Sequence, residues 1–449
     1  MPQRQTDGSS AIETDVAIVG GGPAGLCLAL ALSQANGVDL SVRVFDAAAG
    51  GARRADPRGW AIAPAPRHVL EAIGVWDEIA PHAGEVRRMA ISDSKVQDPV
   101  RPELLGFGVD ESATDPGLFG DEEGVPPGAS RLDDPFYDIP PGAEELGMPL
   151  AHIVPAEVLV AAVDNAASNA GLKPQEPHHL RSLEPDSAGI TLNTDQGPIR
   201  ARLCVGADGV NSTVRSLAGI RTVDWDYRQD AIVATLDADF AHDGTAIQHF
   251  LPGGPFALLP LPENRLSLVW SDERDKVRAL MALDDAAFET ELNERAGPEL
   301  GWLNLAGARA SFPLGFMLSR RFVAPRVALI GDAAHRVHPL AGQGLNLGLK
   351  DVAALAETIV ETVRLGIDPG IQTELETYER WRRADTVQLA MLTDGLNRLF
   401  RPDIAPLRLI RSFGLGLVNN SGFAKRFLTR EAAGLNGPAV PKLMDGLPL

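Results

Sequence analysis

The sequence predicts an α/β fold: a Rossmann-type dinucleotide-binding domain, a discontinuous second domain built on a mostly antiparallel sheet, and C-terminal helices. Three observations predict it. A strand, a glycine-rich turn, a helix and a second strand closed by an acid run from Asp15 to Asp46. Two further corners, at 206–215 and 327–351, again end a strand in a small residue and an aspartate before a helix. Residues 226–320 carry short strand-like runs separated by Gly/Pro turns. The expected partition is a polar tail at 1–12, a dinucleotide-binding domain from 13–96, 150–225 and 309–370, and an acidic Pro/Gly-rich insertion at 97–149. A sheet domain at 226–308 and a helical segment at 371–449 complete it.

Composition bounds the function. The chain has 449 residues, 45% hydrophobic and 22% charged, an ordinary globular balance. A net charge of −19 speaks against nucleic acid as a partner, because phosphate binding needs a basic face. Cys27 and Cys204 lie far apart in apolar runs, so neither a disulfide framework nor a metal site is expected, and a reducing, cytoplasmic setting is. No N-terminal apolar signal and no apolar run of about 18 residues is found, so no membrane span is expected.

In chain order, Asp15–Val19 reads as an apolar strand and Leu26–Leu32 as a helix, with Gly20-Gly21-Gly22-Pro23-Ala24-Gly25 between them. Gly20, Gly22 and Gly25 fit G-x-G-x-x-G, and Asp46 follows about 20 residues later, after the strand Ser41–Phe45. This spacing serves a dinucleotide: a tight turn, a bare backbone beside a pyrophosphate, close helix packing, and an acid for ribose hydroxyls. Arg53, Arg54 and Arg58 follow, and Arg58 directly precedes the apolar G-W-A-I-A. A helix is expected over Pro66–Ile73 and another over Ala156–Ala170, with a strand pair at Ile190–Leu192 and Ile199–Val205. In G-A-D-G-V-N-S-T-V-R, at 206–215, Ser212 is placed to cap a helix.

The sheet domain shows runs at Ala231–Leu236, Ala246–Phe250 and Leu266–Trp270, then a helix at Ala286–Ala296. Phe250, Phe256, Leu258, Leu259 and Trp270 are its candidates for a dry substrate floor. Val327–Ile330 is a buried strand ending in Gly331 and Asp332; Gly342-Gln343-Gly344 makes a bare turn, and a helix runs from Leu345 through Val360. Such a corner offers a carboxylate, exposed backbone and a helix N-terminus to an anionic, polyhydroxylated ligand. Helices are expected over Thr373–Arg430. Within 398–430, seven basic residues and one acid sit among apolar ones, a pattern that suits either an amphipathic helix packed on its own domain with solvated arginines or a patch on an anionic membrane.

Together the three corners resemble single-component flavin monooxygenases of the para-hydroxybenzoate hydroxylase fold: the first their FAD fingerprint, 206–215 their Asp-Gly motif, Gly331-Asp332-Ala333-Ala334-His335 their Gly-Asp motif. More narrowly, H-P-L-A-G-Q-G-L-N-L-G at 338–348 with Asp351, P-G-G-P-F-A-L-L-P-L at 252–261 and Y-E-R-W-R-R-A-D at 378–385 are similar to the ubiquinone-biosynthesis ring hydroxylases. The 97–149 insertion is the main departure.

The resemblance implies FAD, NADH or NADPH as co-substrate, O2, and hydroxylation of a polyprenylated phenol through a flavin hydroperoxide. It implies that Gly20, Gly22, Pro23, Ala24 and Gly25 cradle the pyrophosphate, Asp46 holds the adenosine ribose, Arg58 lies near the flavin, and Asp208 supports cofactor binding. Gly331 and Asp332 would hold the ribityl chain, and Pro339, Gly342, Gln343, Gly344, Leu345 and Asn346 would line the ring. His338 is the candidate to assist phenol deprotonation. A hydroxylase of a soluble aromatic, a flavin reductase acting on prenyl chains and a flavoprotein scaffold of a biosynthetic complex remain alternatives.

Overall fold

A computed structural model describes residues 13–48, 57–96, 101–108, 148–174, 177–338, 342–400 and 440–449. Arg53, Arg54, Pro339, most of the 97–149 insertion and nearly all of the 398–430 basic stretch lie outside them.

The first sheet has seven strands, and its central run is Val327–Leu329, Gly197–Gly206, Thr14–Val19 and Val42–Phe45, all parallel. Val16 to Val19 are buried, as a parallel strand covered on both faces must be. The Pro23–Ser33 helix covers it, with Leu26 to Leu32 all buried, because the Ala156–Asn169 and Gln343–Arg364 helices enclose it in turn. Parallel order has one consequence for function. The three glycine–acid corners, spread over some 330 residues of sequence, leave the carboxyl ends of three neighbouring strands and meet at one edge of the sheet.

The second sheet has nine strands, antiparallel except where Thr245–Leu251 runs beside Arg88–Asp93. Period-2 alternation divides its faces. Ile232, Phe256, Leu258, Leu268 and Trp270 pack in one core with Val277, Phe288 and Leu292 of the Arg274–Met281 and Asp285–Ala296 helices. Ala231, Val233, Ala257, Leu259 and Val269 face a cavity on the other side. Of the five candidates for a dry floor, only Leu259 lines that cavity; Phe256, Leu258 and Trp270 belong to the helix-backed core, and Phe250 packs with Ile91 and Leu105.

The sheet is larger than 226–308. Its longest strand, Thr222–Ala238, pairs with Ala310–Ser319, which the sequence assigned to the dinucleotide domain. Leu105–Gly108, inside the expected insertion, is its edge strand beside Arg88–Asp93. The two domains therefore interleave more often than composition suggests. The 29-residue Gln372–Phe400 helix packs along the Gln343–Arg364 helix and reaches the base of both sheets.

Candidate functional site

The first corner is built by steric necessity. Gly20 has φ +115°, and a Cβ there would stand 2.2 Å from the Ala207 carbonyl oxygen, so the first and second corners touch only through glycine. A Cβ on Gly25 would lie 2.0 Å from the Gly20 oxygen, which fixes helix against strand. Gly22 has nothing within 4 Å of its would-be Cβ, and Gly22, Pro23 and Ala24 line the cavity. The helix they start has Pro in its first turn, no side-chain cap and no acid there, so its N-terminal amides and partial positive charge suit an anion. Asp46 accepts hydrogen bonds from the Gly21 amide at 2.6 Å and the Ala48 amide at 2.8 Å, bracing the turn from the next strand end.

At the second corner Asp208 caps the start of the next helix. Ala207 and Gly209 line the cavity, whereas the Asp208 carboxylate accepts from Ser212 Oγ at 2.5 Å, the Thr213 amide at 2.7 Å and the Val214 amide at 3.1 Å. Ser212 in turn accepts from the Arg215 amide at 2.9 Å, the expected N-cap. Arg215 reaches across, donating to the Ala333 carbonyl at 2.8 Å and the Val210 carbonyl at 2.7 Å. It ties the second corner to the third.

At the third corner Gly331 takes φ +57° and donates its amide to Asp351 at 2.9 Å. Asp332 presents its carboxyl to the cavity. Its side chain is open to the cavity, but the protein around it limits solvation of the charged form and raises its pKa above the usual aspartate value, while His335, Arg336 and Arg58 oppose that. Asp351 is fully buried and also bonds His335 Nε2 at 2.6 Å and Arg382 Nε at 2.8 Å. Burial pushes the Asp351 carboxyl up, but His335 and Arg382 outweigh it and hold it below the usual aspartate range. Arg382 continues to Asp385 at 2.6 Å, Tyr378 Oη donates to the Leu329 carbonyl at 2.7 Å, and Glu379 accepts from the Phe322 amide at 2.6 Å. The Y-E-R-W-R-R-A-D motif is thus a buttress from the C-terminal helix to the Gly-Asp corner. His335, engaged with Asp351, is part of that buttress.

The long helix behind the corner starts at Gly342, where φ is +65° and a Cβ would stand 2.8 Å from Ala61 Cβ. Asn346 accepts from the Ala63 amide at 3.1 Å and donates to the Ala61 carbonyl at 2.8 Å, pinning this helix start to the Gly59–Ile62 strand. Gly342, Gln343, Gly344, Leu345 and Asn346 all line the cavity, and no side chain caps their helix.

The cavity measures about 1190 Å³. Glycine cradles, two uncapped helix starts and the Asp332 carboxyl bound one side; the sheet bounds the other. Those donors suit a dinucleotide with a flat ring, and the residues present fit FAD. Arg58 lies between the two sides, its guanidinium 4.8 Å from the Phe312 ring and 5.6 Å from the Trp60 ring. His338 is wholly buried and lines the cavity, packed edge-to-face on Tyr227 at 5.1 Å. Burial pushes its pKa down to about 4, so it is neutral at neutral pH, and neither ring nitrogen has a hydrogen-bond partner among the described residues. Tyr227 Oη donates to Asp394 of the C-terminal helix at 3.0 Å.

Comparison with known proteins agrees with this geometry. A family model described as an FAD binding domain matches residues 13–393. The chain is 40% identical to the ubiquinone hydroxylase UbiL of Rhodospirillum rubrum, over 98% of this chain and 95% of that protein. It is 31% identical to the 3-demethoxyubiquinol 3-hydroxylase of Escherichia coli, over 94% of this chain and 99% of that protein. Its fold matches the crystal structure of p-nitrophenol 4-monooxygenase from Pseudomonas putida with a TM-score of 0.70 at 19% identity, covering 96% and 99% of the two chains. With its three corners converging on one glycine-cradled cavity, the chain belongs to the FAD-dependent ubiquinone hydroxylase family of aromatic-ring monooxygenases.

Proposed function

We propose that this chain hydroxylates the ring of a polyprenylated phenol in ubiquinone biosynthesis, using FAD, NADH or NADPH, and O2. The observation that carries the reading is one cavity whose two sides differ: anion- and hydroxyl-binding groups on one, an apolar sheet on the other. FAD, when bound, supplies hydride acceptance and oxygen activation, chemistry the side chains lack. The chain's own part is to bind, orient and keep water out. Gly22, Pro23 and Ala24 would receive the pyrophosphate, with Gly20 and Gly25 making the approach possible and Asp46 facing the adenosine ribose. Asp332 would hold the ribityl hydroxyls. Gly342 to Asn346, with Pro339, would line the ring, the helix start there favouring negative charge on it. Asp208 would act through the corner it caps, and Arg58 beside the ring. His338, neutral and unpartnered, would accept a hydrogen bond from the phenol as its ring gains electron density. The apolar floor of Ala231, Val233, Ala257 and Val269 would exclude water from the reacting carbon.

Overall, a ring C–H, O2, NAD(P)H and a proton give a ring C–OH, NAD(P)+ and water. The test is NAD(P)H oxidation by the FAD-loaded protein with a geranylated phenol in air. One hydroxylated product per NAD(P)H is expected; stoichiometric peroxide with no product overturns the reading.

A substrate with a long apolar tail partitions into bilayers, so the same reading includes peripheral contact of residues 398–430 with an anionic membrane face, and a place beside other enzymes of the pathway. Its support is the charge pattern of that stretch. Arg398 itself is engaged within the protein, pairing with Asp394 at 2.8 Å and lying 5.2 Å over the Trp225 ring. Among the described residues no helix is long and apolar enough to cross a membrane. Flotation with phosphatidylglycerol vesicles, lost when Arg408 and Arg411 become Gln, is the expected result; flotation indifferent to both changes overturns the contact.

A further inference from the structure

On the sheet side of the cavity, most positions are small and apolar: Ala231, Val233, Ala257 and Val269. Ser271 and Gln248 break that pattern, and of the two Ser271 is the one with a buried polar atom lacking a partner among the described residues. It lies in register opposite Ala231, on the same face of its strand as Val269. It is 2% exposed and lines the cavity, and its Oγ has no hydrogen-bond partner among the described residues. Gly254 closes in on the adjacent strand, where a Cβ would stand 2.6 Å from the Ser271 carbonyl oxygen. A buried hydroxyl without a partner is unfavourable, so a ligand oxygen that satisfies it gains more than the same oxygen gains in water.

His338 faces the same end. Ala231 packs in one cluster with Val337 and Tyr227, Val269 lies against that cluster, and Tyr227 touches the His338 ring. Two buried, unpartnered polar side chains therefore flank the part of the floor beside Ala231. The opposite end of the cavity is formed by the apolar Val86, Met89, Phe107 and Leu150, with Gln248 on the neighbouring strand. That end is predominantly apolar, whereas the end beside Ala231 carries the two polar side chains left without partners among the described residues.

We propose that Ser271 is a specificity-determining residue: its hydroxyl donates to a ring oxygen substituent of the phenol, while the tail lies toward Val86, Met89, Phe107 and Leu150. Ser271 and His338 hold the oxygen-bearing edge of the ring between them. This rests on the reaction proposed above and names the feature of its substrate that the site reads.

The test uses the FAD-loaded enzyme and two probes of equal size, 2-geranyl-6-methoxyphenol and 2-geranyl-6-ethylphenol. Binding is followed by the flavin absorbance change, and turnover separately by kcat/KM. The enzyme should prefer the methoxy probe at least about tenfold in Kd, since a buried hydroxyl discriminates against a ligand that leaves it unpaired. Ser271→Ala should reduce the preference to about twofold or less, and Ser271→Thr, which keeps the hydroxyl, should retain it. The Ala variant removes no hydrogen bond of the protein, so folding is preserved. No preference in the unaltered enzyme, or a full preference in Ser271→Ala, overturns the proposal. A preference seen in binding with no hydroxylated product from either probe leaves Ser271 as the reader and overturns the reaction instead.

Discussion

The two sides of the cavity differ in how they treat buried charge. Toward Gly331 and Asn346, buried charges are paired: Asp351 joins His335, Arg382 and the Gly331 amide, and Arg382 extends to Asp385. Toward the sheet, Ser271 Oγ and both nitrogens of His338 are buried without partners among the described residues. The first side joins its buried charges before any ligand arrives, as an electrostatic cradle must if it is to cost little reorganisation during the reaction, with only His335 Nδ1 and one Arg382 guanidinium nitrogen of that network left without a partner among the described residues. The second keeps polar groups to be satisfied by the substrate, which is how a mostly apolar site gains selectivity.

The contrast is broken most severely at Arg382. Replacing it with Ala leaves the fully buried Asp351 without its arginine partner, and the expected loss is about 3–5 kcal/mol in urea unfolding. Adding Asp351→Asn should recover part of it, and a loss below about 1 kcal/mol would mean the buttress is not structural. Asn346→Ala comes next. It strands the Ala61 carbonyl and Ala63 amide, and about 2–4 kcal/mol together with weaker FAD retention is expected; unchanged retention would separate the helix start from the flavin.

Acid separates the two sides more gently. Burial pushes His338 and His249 down to about 4 from an unfolded value of about 6.5. The unfolded chain therefore takes up protons first as pH falls. Stability is fully present above about pH 6.5 and is lost progressively toward pH 4, by about 1.4 kcal/mol per pH unit for each histidine. Asp351, held below the usual aspartate range, stays charged through that window. His338→Gln should flatten the profile by one proton, and an unchanged slope would contradict the neutral, buried imidazole. Ser271→Ala should be the mildest change, within about 1 kcal/mol of the unaltered protein in urea unfolding, because it removes a hydroxyl that has no partner among the described residues.

Much of the cradle was legible because its signals are local. Glycines where a Cβ would collide, an acid about 20 residues later and apolar parallel strands give the first corner within one stretch of sequence. Asp208 was legible as important but not as a helix-capping residue, although an acid four residues before Ser212 was a signal for that role. The Arg382–Asp351 pair was not legible, because 31 residues and a helix–helix packing angle separate the partners. The sheet boundaries were missed for similar reasons. Thr222–Arg228 is too polar to read as the start of a strand, and Pro313 and Gly315 disguise Ala310–Ser319. Ser271 was recoverable from alternation alone: Trp270 in the core puts its neighbour on the cavity face.

The central claim is that this cavity brings a flavin and a phenol ring together to place one atom of O2 on the ring. Turnover of a geranylated phenol under 18O2, read by mass spectrometry, tests it most directly. One 18O per product, with NAD(P)H oxidised in equal amount, is the predicted result. Unlabelled product, or label found only in peroxide and water, would contradict it.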